Sequence, residues 1–217
     1  MNSIKKITVV AFVSAVSTLA LSPVARAANT GLNPSSVQIK TIQVMISTSA
    51  DCSSPVNAGL NATPAYQEMT AGPTLFSGAV PAGTYKCVMM NFSSLIKFTP
   101  SANSDDGGCV STTQYVRDVC TSGSSFVTPA GATVQCAGSG NSFSTTENDV
   151  WAYFSTTGST AHLGGLSPAT AFLLSTPLVV TGSKAITFVT DFDGQLQSTM
   201  DGGVLTCDCE PPVMSFR

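Results

Sequence analysis

Along most of the chain beyond residue 28, apolar and polar residues alternate with the period of a strand rather than that of a helix. Ser36 to Thr48 (SVQIKTIQVMIST) is rich in β-branched residues and alternates in two registers. Thr84 to Phe98 continues the theme, with Tyr85, Cys87 and Met89 expected on one face. Shorter runs follow at Thr113 to Val119, Ala132 to Cys136 and Val150 to Ser155, and Ala171 to Thr181 is an apolar run broken by Pro177. Lys184 to Phe192 is the clearest strand: Ile186, Phe188, Thr190 and Phe192 alternate with Ala185, Thr187, Val189 and Asp191. Val204 to Cys209 and Val213 to Phe216 close the series. No segment of this region sustains a 3.6-residue period, and Gly, Pro, Ser and Asn cluster between the runs. Many short strands between turn-forming residues predict an all-β fold, read here as a single antiparallel β-sandwich.

One stretch breaks the pattern. Pro100 to Asp149 has few large apolar residues and many Ser, Thr, Gly and Asn, yet holds three of the seven cysteines. It reads as a long polar insertion at about 100–149, with a hairpin or two inside it and disulfides pinning it. Neither half of the chain looks self-sufficient, so residues 28–217 are expected to form one domain.

The first 27 residues read as a signal peptide. Lys5 and Lys6 supply a positive start, Ile7 to Leu21 an apolar run, and Ala25-Arg26-Ala27 a small-residue cleavage site. The apolar run is shorter than the ~20 residues that a membrane-spanning helix needs. Export to the periplasm, the cell surface or the extracellular space is the expectation, with no transmembrane segment after cleavage. Loss of this segment removes three of the nine Lys and Arg and none of the twelve Asp and Glu, so the net charge moves from −3 to −6. An acidic, weakly charged surface excludes a nucleic-acid footprint. With 29 Ser and 27 Thr in 217 residues, hydroxyls take the place of charge on the surface.

Seven cysteines in an exported chain point to disulfides. They are Cys52, Cys87, Cys109, Cys120, Cys136, Cys207 and Cys209, and the odd count leaves at least one thiol over. Three bridges with one thiol over allow 105 arrangements, among which sequence alone does not choose. Position near the ends of strand-like runs points to Cys52 with Cys87; Cys109 with Cys120 would then close a polar loop, leaving Cys136 for the Cys207–Cys209 segment.

Candidate chemistry is sparse. His162 is the only histidine, so a hydrolase would have to pair it with a Ser nucleophile, and no G-x-S-x-G elbow surrounds it. Ser94-Leu95-Ile96-Lys97 has S-x-x-K spacing but sits in a strand-like run without companion motifs. Asp191, Asp193 and Asp201 are the first candidates for calcium, since acidic turns supply the oxygen donors that hard cations need. No other cofactor is expected. Trp151 and Tyr153 share one side of a strand and are the candidate aromatic binding pair.

Val80-Pro81-Ala82-Gly83-Thr84-Tyr85, then Thr190-Asp191-Phe192-Asp193, then Pro211-Pro212-Val213 occur in this order. This framework resembles a group of bacterial exported domains of unknown function with PAGTY, DFD and Pro-Val elements. The resemblance implies a transthyretin- or immunoglobulin-like β-sandwich in the bacterial envelope and lends no catalytic residues. The expected function is a non-enzymatic structural or binding module with a glycan, a peptide or an envelope protein as partner. The alternatives are a secreted hydrolase using His162 and a calcium- or metal-binding surface module.

Overall fold

The computed structural model describes residues 30–72, 74–76, 80–120, 122–137, 146–158, 171–174, 176–181, 186–201, 203–210 and 213–216. The side chains of Thr30, 74–76, 186–190, Asp201 and 213–216 are outside that description. So are the expected signal at 1–27 and His162. The described residues form eighteen strands and no helix, which makes the chain all-β. One eight-stranded sheet dominates, with small two- and three-stranded sheets beside it. The sheets are open and curled rather than clearly a single sandwich.

Strand β2 (Pro34–Ser47) runs through the middle of the large sheet. Its double alternation becomes a β-bulge. Val37, Ile39 and Thr41 are buried up to the bulge, and Val44 and Ile46 after it, with the register shift between Thr41 and Gln43. One extra residue switches the parity, so both halves of the strand bury their apolar side. Beside it lies a second long run, β7 (Cys87–Ser93) and β8 (Leu95–Pro100), interrupted only at Ser94. The other flank of β2 carries β3 (Val56–Leu60) and β4 (Tyr66–Glu68).

Beyond the β7–β8 run the sheet forks. Strand β12 (Asp149–Ser155) pairs with β7, and β9 (Tyr115–Asp118) pairs with β8. Ser94 holds both branches. Its N–H donates to Asn148 O at 2.7 Å, its carbonyl accepts Val119 N–H at 2.9 Å, and its hydroxyl accepts Asn148 N–H at 3.2 Å. The chain therefore leaves the sheet at Val119 and returns at Asn148, both tied to one fully buried serine. The excursion carries the hairpin β10 (Ser125–Val127) and β11 (Thr133–Gln135). Thus the polar stretch 100–149 is more than an insertion, since β9 within it belongs to the main sheet. Strand β13 (Phe172–Leu173) is parallel to β12, a departure from the expected all-antiparallel pairing.

The small sheets lie beside the large one. They are β1 (Thr30–Leu32) with β16 (Leu196–Asp201) and β17 (Val204–Cys209), β6 (Gly83–Tyr85) with β14 (Leu178–Val180), and β5 (Thr74–Phe76) with β15 (Ile186–Asp191) and β18 (Val213–Phe216). Tyr85, Leu178, Val180, Phe192 and Leu196 form one core with Val37, Ile46, Val88 and Phe98 of the large sheet. A smaller cluster of Cys52, Cys87, Met89, Val127 and Tyr153 covers part of the other face. Tyr85 thus lies apart from Cys87 and Met89, contrary to the expected shared face. The reason is the break at Lys86, whose N–H donates to Ser47 O while its carbonyl accepts Thr156 N–H. The Tyr85 hydroxyl donates to Pro81 O at 2.7 Å, which closes the Pro-Ala-Gly turn on itself.

Glu68 shows how a short strand is finished. Its carboxylate accepts Val37 N–H at 2.9 Å and the hydroxyls of Ser36 at 2.6 Å and Thr70 at 2.7 Å, extending the ladder of β2 where β4 stops. Burial acts to raise the pKa of this carboxyl, but these bonds outweigh it and hold the group below the ordinary carboxylate value. Their stabilisation is present at neutral pH and fades as the pH falls through the carboxylate range.

Three disulfides staple the molecule. Cys52 bonds Cys87, as their places near the ends of strand-like runs suggested. Cys109 bonds Cys207, not Cys120, and Cys120 bonds Cys136. The turn at Ser104–Cys109 lies flat on the β16–β17 hairpin, so close that a Cβ at Gly108 would sit 1.9 Å from Ser198 Oγ. That contact delivers Cys109 to Cys207 across 98 residues. Cys120 instead lies two residues beyond β9 at the foot of the β10–β11 excursion, where the returning strand brings Cys136. Cys209 is the free thiol among the described residues.

Candidate functional site

The fork in the large sheet leaves room that the core side chains do not fill. An apolar cavity of about 280 Å³ lies there. Ile39, Met90, Phe92 and Ile96 form its floor. One branch contributes Val150, Trp151, Ala152 and Tyr153, and the other Arg117, Val119 and Cys120. The excursion that starts and ends at Ser94 folds back over it, placing Ser124 to Val127 and Cys136 against the opening. Phe192 of the turn after β15, with Cys209 and Glu210 at the end of β17, completes the wall.

Local sequence explains these placements. Alternation in β12 sends Val150 and Ala152 to the main core and Trp151 and Tyr153 toward the smaller cluster. Strand β13 pairs only with Phe154 and Ser155, so the remaining outer edge of β12 stays open to the hairpin. Phe126 packs on the main core and Val127 on the smaller cluster, so β10 straddles that edge. The Tyr153 hydroxyl donates to Val127 O at 2.6 Å, and burial pushes its pKa above the ordinary phenol value. Tyr153 therefore acts as a neutral latch between sheet and hairpin.

The polar groups gather near Arg117. Its guanidinium pairs with Asp208 at 3.2 Å. Glu210 accepts a hydrogen bond from the Gln197 side-chain amide. Burial, and then the charges of Asp208 and Glu210, push the Cys209 thiol up to about 12, with Arg117 acting in the opposite direction. At neutral pH this thiol is protonated, and a protonated thiol is a poor nucleophile. The site offers apolar surface, hydroxyls, one guanidinium, one carboxylate and a protonated thiol.

Of the residues anticipated from sequence, Trp151 and Tyr153 both line the cavity. Neither is an open platform: Trp151 is half-buried and Tyr153 is buried. Asp191 and Asp193 are exposed on either side of buried Phe192, and Asp193 N–H donates to Asp191 Oδ1 at 3.0 Å. They cap a turn in solvent. Asp201 ends β16, and its side chain is outside the description. Among the described residues no group of three or more His, Cys, Asp or Glu is placed to hold a metal ion. Ser94 serves the fork, and Lys97 lies over the Tyr66 ring at 3.8 Å, so the S-x-x-K pair is engaged in structure.

Arg117, Phe126, Phe192, Cys209 and Glu210 were not anticipated. No motif joins them, because they come together only through the fork and the Cys109–Cys207 staple. Comparison with protein-family models, curated proteins and solved structures finds no match for this chain.

Proposed function

We propose that the protein is an exported, non-enzymatic binding module that receives a small apolar molecule in the cavity at the sheet fork. The observation that carries this reading is the cavity: apolar walls, few polar groups and a size near the lower end for small-molecule sites. Three disulfides support an oxidising compartment, which is the periplasm, the cell surface or the extracellular medium. No helix among the described residues is long and apolar enough to cross a membrane. The large sheet and the small sheets sharing one core support a distorted β-sandwich, in keeping with the PAGTY-type bacterial domains that the sequence resembles.

Trp151 is the only tryptophan and lines the cavity, so it reports occupancy directly. The naphthol dye 2-naphthol, with eleven non-hydrogen atoms, is expected to bind saturably and quench Trp151 emission by energy transfer. Ala152→Phe fills the cavity from the β12 wall and is expected to weaken dye binding at least about tenfold, a change of roughly 1.4 kcal/mol. Val119→Phe, at a half-exposed wall position, is expected to weaken it with less disturbance of the core. Dye binding that both variants leave intact, or no binding at all, would defeat the reading.

A further inference from the structure

Three of the seven cysteines line one cavity: Cys209, the free thiol, and Cys120 and Cys136, which are bonded to each other. Two contacts between β9 and β17 bring them there. At the start of β9, the Tyr115 hydroxyl donates to Gly108 O and accepts Val110 N–H, and Cys109 between those residues bonds Cys207. Two residues on, Arg117 pairs with Asp208 at 3.2 Å. The two strands advance together, and the next step carries Cys209 toward Val119 and Cys120, which line the cavity with it. A thiol and a disulfide facing one space are the two reactants of thiol–disulfide exchange.

Exposure decides which sulfur is expelled. Attack on a disulfide releases one sulfur as a thiolate, and a thiolate is more stable where water reaches it. Cys120 is 1% exposed, whereas Cys136 is half-buried between exposed Gln135 and Ala137. Attack at Cys120 with Cys136 leaving is therefore the favoured direction. The Cys209 thiol donates to Glu210 O at 3.6 Å, a weak bond that costs little to break.

We infer that Cys209 is the attacking thiol of an internal disulfide exchange that unlocks the excursion covering the cavity. Cys209 gives up its proton, and the thiolate attacks Cys120 Sγ. The Cys120–Cys209 bond forms, the Cys120–Cys136 bond breaks, and Cys136 leaves as a thiolate that takes up a proton. Each side has one thiol and one disulfide, so no oxidant or reductant is consumed. In the first isomer the Cys120–Cys136 bridge closes the base of the β10–β11 excursion. In the second, β9 is stapled to β17, and the excursion rests on Phe126, Val127 and the Tyr153 latch alone. The exchange needs no ligand, so it stands or falls apart from the binding role proposed above. Burial and the charges of Asp208 and Glu210 oppose the Cys209 thiolate and Arg117 favours it, which keeps the exchange slow at neutral pH.

Trapping on the folded, exported full chain tests it. Dilute iodoacetamide is present throughout, and the protein is then reduced, capped with N-ethylmaleimide and digested. Trypsin cuts after Lys97, Arg117 and Lys184, which separates residues 98–117 with Cys109, 118–184 with Cys120 and Cys136, and 185–217 with Cys207 and Cys209. The first label is expected on Cys136, in 118–184, at a rate independent of protein concentration. That rate is expected to rise about tenfold per pH unit, or about a hundredfold from pH 7 to pH 9, as the thiolate fraction grows. Cys209→Ser is expected to abolish labelling of Cys136. Label confined to Cys209 would overturn the inference. So would label on Cys120 or Cys109, which would mean a different sulfur is expelled, or label spread over every cysteine, which would mean scrambling through unfolding.

Discussion

A Cys109→Ala, Cys207→Ala double variant is expected to lose about 4.7 kcal/mol of stability, more than removal of either other bridge. The bridge spans 98 residues, and cross-linking a longer loop removes more freedom from the unfolded chain. The same relation gives about 3.8 kcal/mol for Cys52–Cys87, which spans 35 residues, and about 3.1 kcal/mol for Cys120–Cys136, which spans 16. The ranking carries the physics, because native strain moves the absolute values. Cys109–Cys207 also holds the Ser104–Cys109 turn on β16–β17, and that hairpin carries Asp208, Cys209 and Glu210 at one end of the cavity. Urea denaturation of the three double variants tests the order. A Cys109/Cys207 variant as stable as the Cys120/Cys136 variant would mean that the long staple closes a loop already compact when unfolded.

Phe98→Ala is expected to cost about 3–5 kcal/mol, the usual range for deleting a buried aromatic ring. Phe98 is 1% exposed and stacks on Tyr115 at a centroid distance of 5.7 Å. It sits on β8, where β2 and β9 pair with it from opposite sides. The ring therefore joins the centre of the sheet to the branch that carries Arg117. Its loss removes buried area and the aromatic pair together, and Tyr115 cannot close the gap because its hydroxyl is held, donating to Gly108 O and accepting Val110 N–H. Phe172→Ala is the internal control. Phe172 is 41% exposed and is expected to cost far less. Equal losses at the two positions in urea melts would contradict the placement of the core.

Much of the fold was legible where strands were long. The β-branched run at Ser36–Thr48 announced β2, and its two competing registers foreshadowed the bulge at Thr41–Gln43. Val204 to Cys209 and Val213 to Phe216 are strands with the bounds expected from alternation. Strands such as Tyr66–Glu68 and Ser125–Val127 were illegible, because three residues carry no periodicity. They exist through what neighbours them: Glu68 through its bonds to β2, and β10 through Phe126, Val127 and the Tyr153 latch. The second and third bridges were unreadable for a related reason. Spacing favours nearby partners, whereas Cys109 meets Cys207 only after two distant turns have packed together. The candidate site was half legible. Trp151 and Tyr153 stood out as an aromatic pair on one strand, while Arg117 looked like an ordinary strand residue and Cys209 like one more bridging cysteine until the fork set them beside the same space.

The most direct measurement is nuclear magnetic resonance on protein with methyl-labelled methionine, titrated with the dye 2-naphthol. Met90 is on the cavity floor and 1% exposed, whereas Met200 is 56% exposed on the β16–β17 hairpin. Binding in the cavity predicts Overhauser contacts from dye protons to the Met90 methyl and none to Met200. Contacts to Met200 with none to Met90 would place the dye on the surface and contradict a ligand site at the fork.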